Sequence, residues 1–118
     1  MKLSSDKKKE LQEKYKQMKF DMGLFAIINK SNSKHYLETS QDVKALINRR
    51  EFTLKMGMHP NKELQKDWQQ IGQDGFEIKI LEQLEYDEDD SKTDYSDELE
   101  LLKMIWIERL IKENIEMY

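Results

Sequence analysis

Met22-Gly23-Leu24-Phe25-Ala26-Ile27-Ile28-Asn29 runs into Lys30-Ser31-Asn32-Ser33-Lys34 and returns as His35-Tyr36-Leu37-Glu38-Thr39. The first segment is almost wholly apolar and stops at turn residues, the signature of a strand. An apolar run without alternation suits a strand covered on both faces. Asn, Ser and Lys tolerate the geometry of a tight link. The whole stretch therefore reads as a β-hairpin whose first strand is central. Two short segments, Gly23-Leu24-Phe25 and Tyr36-Leu37-Glu38, sit one on each side of its turn.

Upstream of the hairpin, Ser4-Ser5-Asp6 can cap a helix reaching about Lys19, with a narrow apolar stripe of Leu11, Tyr15 and Met18. Downstream, Ser40 is placed to cap a helix from about 41 to 56 that carries Val43, Leu46, Ile47, Phe52 and Leu54, and Gly57 is its stop. His59-Pro60-Asn61 opens another helix, with Pro60 near its first turn and with Leu64, Trp68 and Ile71 at spacings of four and three; Gly72 ends it. Phe76-Glu77-Ile78-Lys79-Ile80-Leu81 has the period-two pattern of a strand. After an acidic loop, Ser96 or Asp97 caps a last helix to about 116. Its apolar face is Leu99, Leu102, Trp106 and Leu110, broadened by Leu101, Ile105 and Ile107. The order α-β-β-α-α-β-α predicts an α+β fold, a three-stranded antiparallel sheet flanked by helices with an extra N-terminal helix. The expected layout is that helix over 1–20 and one domain over 21–118, with the acidic loop at 85–95.

A chain of 118 residues suits a single domain with a modest core. Apolar and charged residues each make up 37%, so the fold depends on the periodic clustering of the former. There is no cysteine, which excludes disulfides, thiolate metal sites and thiol nucleophiles and fits a reducing compartment. No apolar run approaches the roughly 20 residues of a membrane span. Lys7, Lys8 and Lys9 make the N-terminus basic without the apolar stretch of a secretory signal, so the expected location is cytoplasmic. The net charge of −4 disfavours indiscriminate nucleic-acid binding. The charges are segregated, however. Residues 43–66 carry Lys44, Arg49, Arg50, Lys55, Lys62 and Lys66 against Glu51 and Glu63, and residues 85–100 are dominated by acids. Asp87-Glu88-Asp89-Asp90 lacks the glycine and distal glutamate of an EF-hand loop and reads as a solvated turn. No glycine-rich phosphate loop and no Ser-His-Asp or Cys-His constellation is present.

The two hairpin segments and the element order resemble the two-part signature of the GIY-YIG nuclease family. The likeness extends to Leu54-Lys55-Met56-Gly57-Met58-His59-Pro60-Asn61-Lys62-Glu63-Leu64-Gln65-Lys66-Asp67-Trp68, to residues 76–82, and to the pattern Leu101-Leu102 followed by Trp106-Ile107. It covers roughly 22–112 and is similar to small single-domain bacterial members. The resemblance implies metal-assisted hydrolysis of a DNA phosphodiester. An arginine on the helix after the hairpin would steady phosphate charge, a glutamate on a later helix would hold a divalent metal, and tyrosines from both motif strands would handle the water.

Carried over residue by residue, the motif positions are Gly23, Phe25, Tyr36, Glu38, Leu46 and Lys103. Phe25 has no hydroxyl, Glu38 stands at the motif glycine, Leu46 at the arginine and Lys103 at the metal-holding glutamate. Arg49, Arg50 and Glu100 lie one turn from Leu46 and Lys103 and are the geometric substitutes; Glu108 and Arg109 lie too far along. The implied protein is a non-catalytic GIY-YIG-like domain without cofactor or metal. It would bind nucleic acid or a protein partner through Lys44, Arg49, Arg50, Lys55, His59, Lys62 and Lys66. His59 reads either as a phosphate contact at a helix N-terminus or, preferably, as a packing residue in its turn. Two alternatives stay open. One is a divergent endonuclease using Mg or Mn with Tyr36, Arg49 or Arg50, and Glu100. The other is an interaction module whose N-terminal helix pairs with a second copy to give a homodimer. Glu38 and Lys103 are further expected to form an ion pair, with charged atoms within about 4 Å.

Overall fold

The computed structural model describes residues 19–89 and 91–118; the expected N-terminal helix lies outside these except for its last two positions. Strand β1 (Met22–Asn29) is followed by β2 (His35–Ser40), helix α1 (Val43–Lys55), helix α2 (Lys62–Ile71), a 3₁₀ turn (Gln73–Gly75), strand β3 (Phe76–Leu84) and helix α3 (Ser96–Lys112). The sheet order is β2-β1-β3, antiparallel throughout. This is the expected α+β fold, with the three-stranded antiparallel sheet and flanking helices.

Every residue of β1 is buried, as its unbroken apolar sequence requires. Alternation along the strand divides the core. Phe25 and Ile27 pack with Val43, Leu46, Leu54, Leu64, Trp68 and Phe76, so α1 and α2 cover one face. Leu24, Ala26 and Ile28 pack with Leu37, Leu102 and Leu110, so α3 covers the other. A third cluster of Met22, Tyr95 and Leu99 closes the end where β1 begins and α3 starts. Each of these large side chains contributes about 1.5–3 kcal/mol when fully buried.

Several local expectations shift. Asp42, not Ser40, caps α1: its side chain accepts from the Ala45 N–H at 3.3 Å, while Ser40 Oγ accepts from the Asp42 N–H at 3.0 Å. Asn61 caps α2 by accepting from the Leu64 N–H at 3.0 Å, with Pro60 immediately before the cap. Gly57 and Gly72 follow the two helices with φ of 74° and 92°, a region that favours glycine. Phe52, Leu101 and Ile105, assigned to apolar faces in the sequence, are exposed. The acidic loop is tied down: Tyr95 is buried and its hydroxyl accepts from the Asp87 N–H at 2.9 Å.

The chain after α3 returns to the open edge of β2. Met117 makes a parallel bridge to His35, the His35 N–H donates to Glu116 O at 3.0 Å, and the Tyr118 N–H donates to His35 O at 2.8 Å. Tyr118 Oη then donates to Asp67 Oδ2 at 2.7 Å and accepts from Asn29 Nδ2 at 3.0 Å. Burial, with Asp67 adding to it against the Asn29 bond, pushes this phenol up to about 12.

Gly23 is fixed by close approach to the neighbouring strand. A Cβ there would lie 2.2 Å from Glu82 O and 2.9 Å from Gln83 Cα, both backbone atoms, next to the register shift at Leu24/Phe25. Gly23→Ala is therefore expected to lower unfolding stability by about 2–3 kcal/mol, read by urea titration. An unchanged midpoint would show that the strands part freely there.

Candidate functional site

The hairpin register places the two motif segments against each other. Phe25 is opposite Glu38 and Ile27 is opposite Tyr36. Residues two apart on a strand share a face, so Tyr36 and Glu38 both point toward α1 and α2. Tyr36 Oη donates to Glu38 Oε1 at 2.7 Å. Arg50, on the inward side of α1, grips the same carboxylate in a forked contact: Nε donates to Oε1 at 2.9 Å and a terminal nitrogen to Oε2 at 2.6 Å. Both charged side chains are mostly withdrawn from water, at 25% and 19% exposure. A bidentate guanidinium–carboxylate pair is among the strongest polar contacts a protein makes.

His59 completes the group. Its ring meets Tyr36 edge-on at a centroid distance of 5.0 Å. The turn that carries it is held by Gln65, whose Oε1 accepts from the His59 N–H at 2.9 Å while its Nε2 donates to Leu54 O at 3.0 Å. The Asn61 N–H donates to His59 Nδ1 at 3.0 Å, which assigns the ring proton to Nε2. Nε2 is buried and has no partner. Burial, and then the positive charge of Arg50, lowers the His59 pKa against a partial offset from Glu38. The imidazole is therefore neutral near pH 7.

The same contacts set the other protonation states. Burial raises the Tyr36 phenol far above its ordinary value, and the hydrogen bond to Glu38 adds to this, so it does not ionise near neutrality. Burial alone would raise Glu38, but the hydrogen bonds from Arg50 and Tyr36 outweigh it and hold the carboxyl below the usual range. The Glu38 hydrogen bond raises Arg50. The arrangement can hold a fixed carboxylate between a phenol and a guanidinium, with one imidazole N–H left to donate.

The structure gathers Tyr36, Glu38, Arg50 and His59, and leaves other expected site residues elsewhere. Phe25 and Leu46 are core side chains. The expected Glu38–Lys103 ion pair does not form; Glu38 is paired with Arg50 instead. Lys103 and Glu100 belong to α3, whose leucines cover the opposite face of the sheet. Glu100 is exposed there and does not reach the Arg50 cluster. The basic residues are also divided. Lys44 is paired with Asp21 at 2.9 Å, Arg50 is engaged by Glu38, and His59 is buried. Arg49, Lys55, Lys62 and Lys66 are exposed. At about 100° per residue, Lys44 and Lys55 share one flank of α1 and Arg49 lies on the other. The sequence placed Arg50 one turn beyond Leu46 but set Glu38 against Lys103, so the Tyr36–Glu38–Arg50 contact was not read from it. The role of Gln65 had no signal in the sequence.

Two solved structures share this architecture. The "catalytic domain of intron endonuclease I-TevI", as a point mutant, has a TM-score of 0.64 and 25% identity, with 82% of this chain and 91% of that one covered. The "catalytic domain of homing endonuclease I-TevI" has a TM-score of 0.64 and 27% identity, with 81% and 96% covered. The fold is GIY-YIG-like. No family model matches the chain, and none of the curated proteins does. The family's metal does not fit this GIY-YIG-like domain. Among the described residues no three His, Cys, Asp or Glu groups converge on one point, and Lys103, which the resemblance sets at the metal-holding glutamate, carries an ammonium.

Two outcomes follow from this geometry. Glu38→Ala leaves a half-buried guanidinium and a phenol without their acceptor and is expected to cost about 2–3 kcal/mol, and the Glu38→Ala/Arg50→Ala double change is expected to cost less than the sum of the two single ones. A double-mutant cycle in urea reads the coupling. His59 has a folded pKa below its unfolded value, so the stability it contributes is present above about pH 6.5 and falls as pH drops toward the folded pKa. Unfolding of the wild type between pH 7 and 5 should therefore show a loss that His59→Gln reduces.

Proposed function

We propose that this is a non-catalytic GIY-YIG-like domain that binds the phosphate backbone of nucleic acid through the exposed cations of α1 and α2. One observation carries the reading: the Glu38 carboxylate is closed onto Arg50 and Tyr36. A phosphate approaching the motif face meets a fixed negative charge, and the guanidinium that would greet it is already engaged. The Tyr36 phenol is held too far above neutral pH to serve as a base. Arg49, Lys55, Lys62 and Lys66 remain free to meet phosphates. Such contacts give affinity that depends on salt more than on sequence.

A second reading is favoured by one atom. His59 Nε2 carries a proton, lacks a partner and sits beside Tyr36. In a divergent endonuclease it would donate to a phosphodiester oxygen.

The two readings separate in one experiment series. The first expects no nicking of supercoiled plasmid with Mg²⁺ or Mn²⁺, together with duplex binding that weakens as salt rises. Arg49→Ala, Lys55→Ala or Lys62→Ala should each lower the slope of log K against log salt by about one. Nicking abolished by His59→Gln or Tyr36→Phe would establish the second. Salt-independent or undetectable duplex binding would overturn the first.

A further inference from the structure

An aromatic ring stands in the middle of the outer face of α1. Phe52 is 65% exposed, while Val43, Leu46 and Leu54 turn the other side of the helix into the core. At about 100° per residue, Arg49 and Lys55 lie about 60° to either side of Phe52. Both are exposed. Met56, one turn after Phe52, is exposed by 58%, and Met58, just past the Gly57 turn, by 69%. Glu51 is the sole acid of α1 and is half-buried, nearer the core than Lys55. No carboxylate of the helix therefore stands between the ring and its two cations.

A lone exposed apolar side chain is ordinary. A ring held between two cations, with two thioether side chains beside it, is a narrower combination. It suits a protein partner poorly. A stable protein interface takes about 800 Å² from each partner. One ring offers about 150–250 Å² even when wholly covered, and the flanking cations interrupt the apolar surface. Charge and shape fit instead a polyanion that carries flat apolar groups. In a duplex those flat faces are stacked on one another, and the outside presents phosphates and base edges. In a single strand every base has a free face. A base stacked on an aromatic side chain, with cations along its backbone, is a general solution for holding single strands without reading their sequence. The two methionine ends can adapt to whichever base lies beside them.

The geometry points to unpaired bases as the ligand of this face: Phe52 stacks on one base of a single-stranded segment, and Arg49 and Lys55 meet the phosphates to either side. This rests on the reading of α1 and α2 as a phosphate-binding surface, and adds to it the class of nucleic acid that is bound.

The test uses the full-length chain and end-labelled probes at one salt concentration, read by fluorescence anisotropy. The probes are an oligothymidylate of about 12 nucleotides, the same strand with abasic sites in place of its bases, and a blunt duplex. Phe52→Ala should weaken binding of the oligothymidylate roughly 5- to 100-fold. Removing the bases should weaken the wild type by a similar factor, and the two losses should not add. Phe52→Tyr should keep the affinity, whereas Phe52→Leu, apolar but without a flat face, should not. Duplex affinity should change by less than about twofold in all three variants. The side chain is exposed, so circular dichroism should show each of them folded. An affinity unchanged by Phe52→Ala, or equal binding of intact and abasic strands, would overturn the inference; a salt slope still lowered by Lys55→Ala would leave the phosphate reading standing. Failure of every probe to bind would remove both. A dimer that Phe52→Ala dissociates, with strand affinity unaltered, would assign the ring to a second copy and overturn the inference as well.

Discussion

The burial of β1 on both faces is the constraint from which the rest of the architecture follows. A strand with no polar face must be covered by two layers, and a three-stranded sheet offers only one central position. Alternation then assigns Phe25 and Ile27 to the side of α1 and α2, and Leu24, Ala26 and Ile28 to the side of α3. Gly23 belongs to the same constraint, since β3 approaches so closely that only a hydrogen fits in place of a side chain. The open edge of β2 is covered by the chain's last residues, which pair with His35.

The polar cluster is a consequence of that alternation. Tyr36 and Glu38 must share a face, and that face looks onto α1, not α3. The partner available to Glu38 is therefore Arg50. Withdrawing a carboxylate from water is costly, and the forked contact together with the Tyr36 hydroxyl offsets it. His59 is held neutral beside them, because a second cation next to Arg50 in a dry site would be unfavourable.

Much of the fold was legible in the sequence because its signals are local and periodic. The hairpin, both glycine stops and the order of elements could be read from patterning alone. Reading went astray where a helix has apolar residues on more than one side, as with Leu101, Ile105 and Phe52: periodicity then gives several faces and cannot rank them. Pairing across the fold was harder. Sequence spacing set Glu38 against Lys103, but the sheet lies between the layers to which their neighbours belong. The Tyr118–Asp67–Asn29 contacts and the Gln65 brace join residues far apart in the chain, and composition holds no trace of them.

The likeness of this fold to a nuclease domain and the dissimilarity of its motif residues have one physical explanation. The positions that hold the sheet together are Gly23 and the aliphatic and aromatic side chains of β1, α1 and α3, and none of them needs a catalytic group. Phe25 and Leu46, which the resemblance sets at the motif tyrosine and arginine, are both members of the core. A glutamate at Glu38 would be intolerable if left alone, and Arg50 one turn along α1 makes it tolerable. Stability thus places no demand on the groups the family uses for chemistry, and fold and function can separate on this scaffold. A surface such as the outer face of α1, whose side chains are exposed, is free to serve a different purpose.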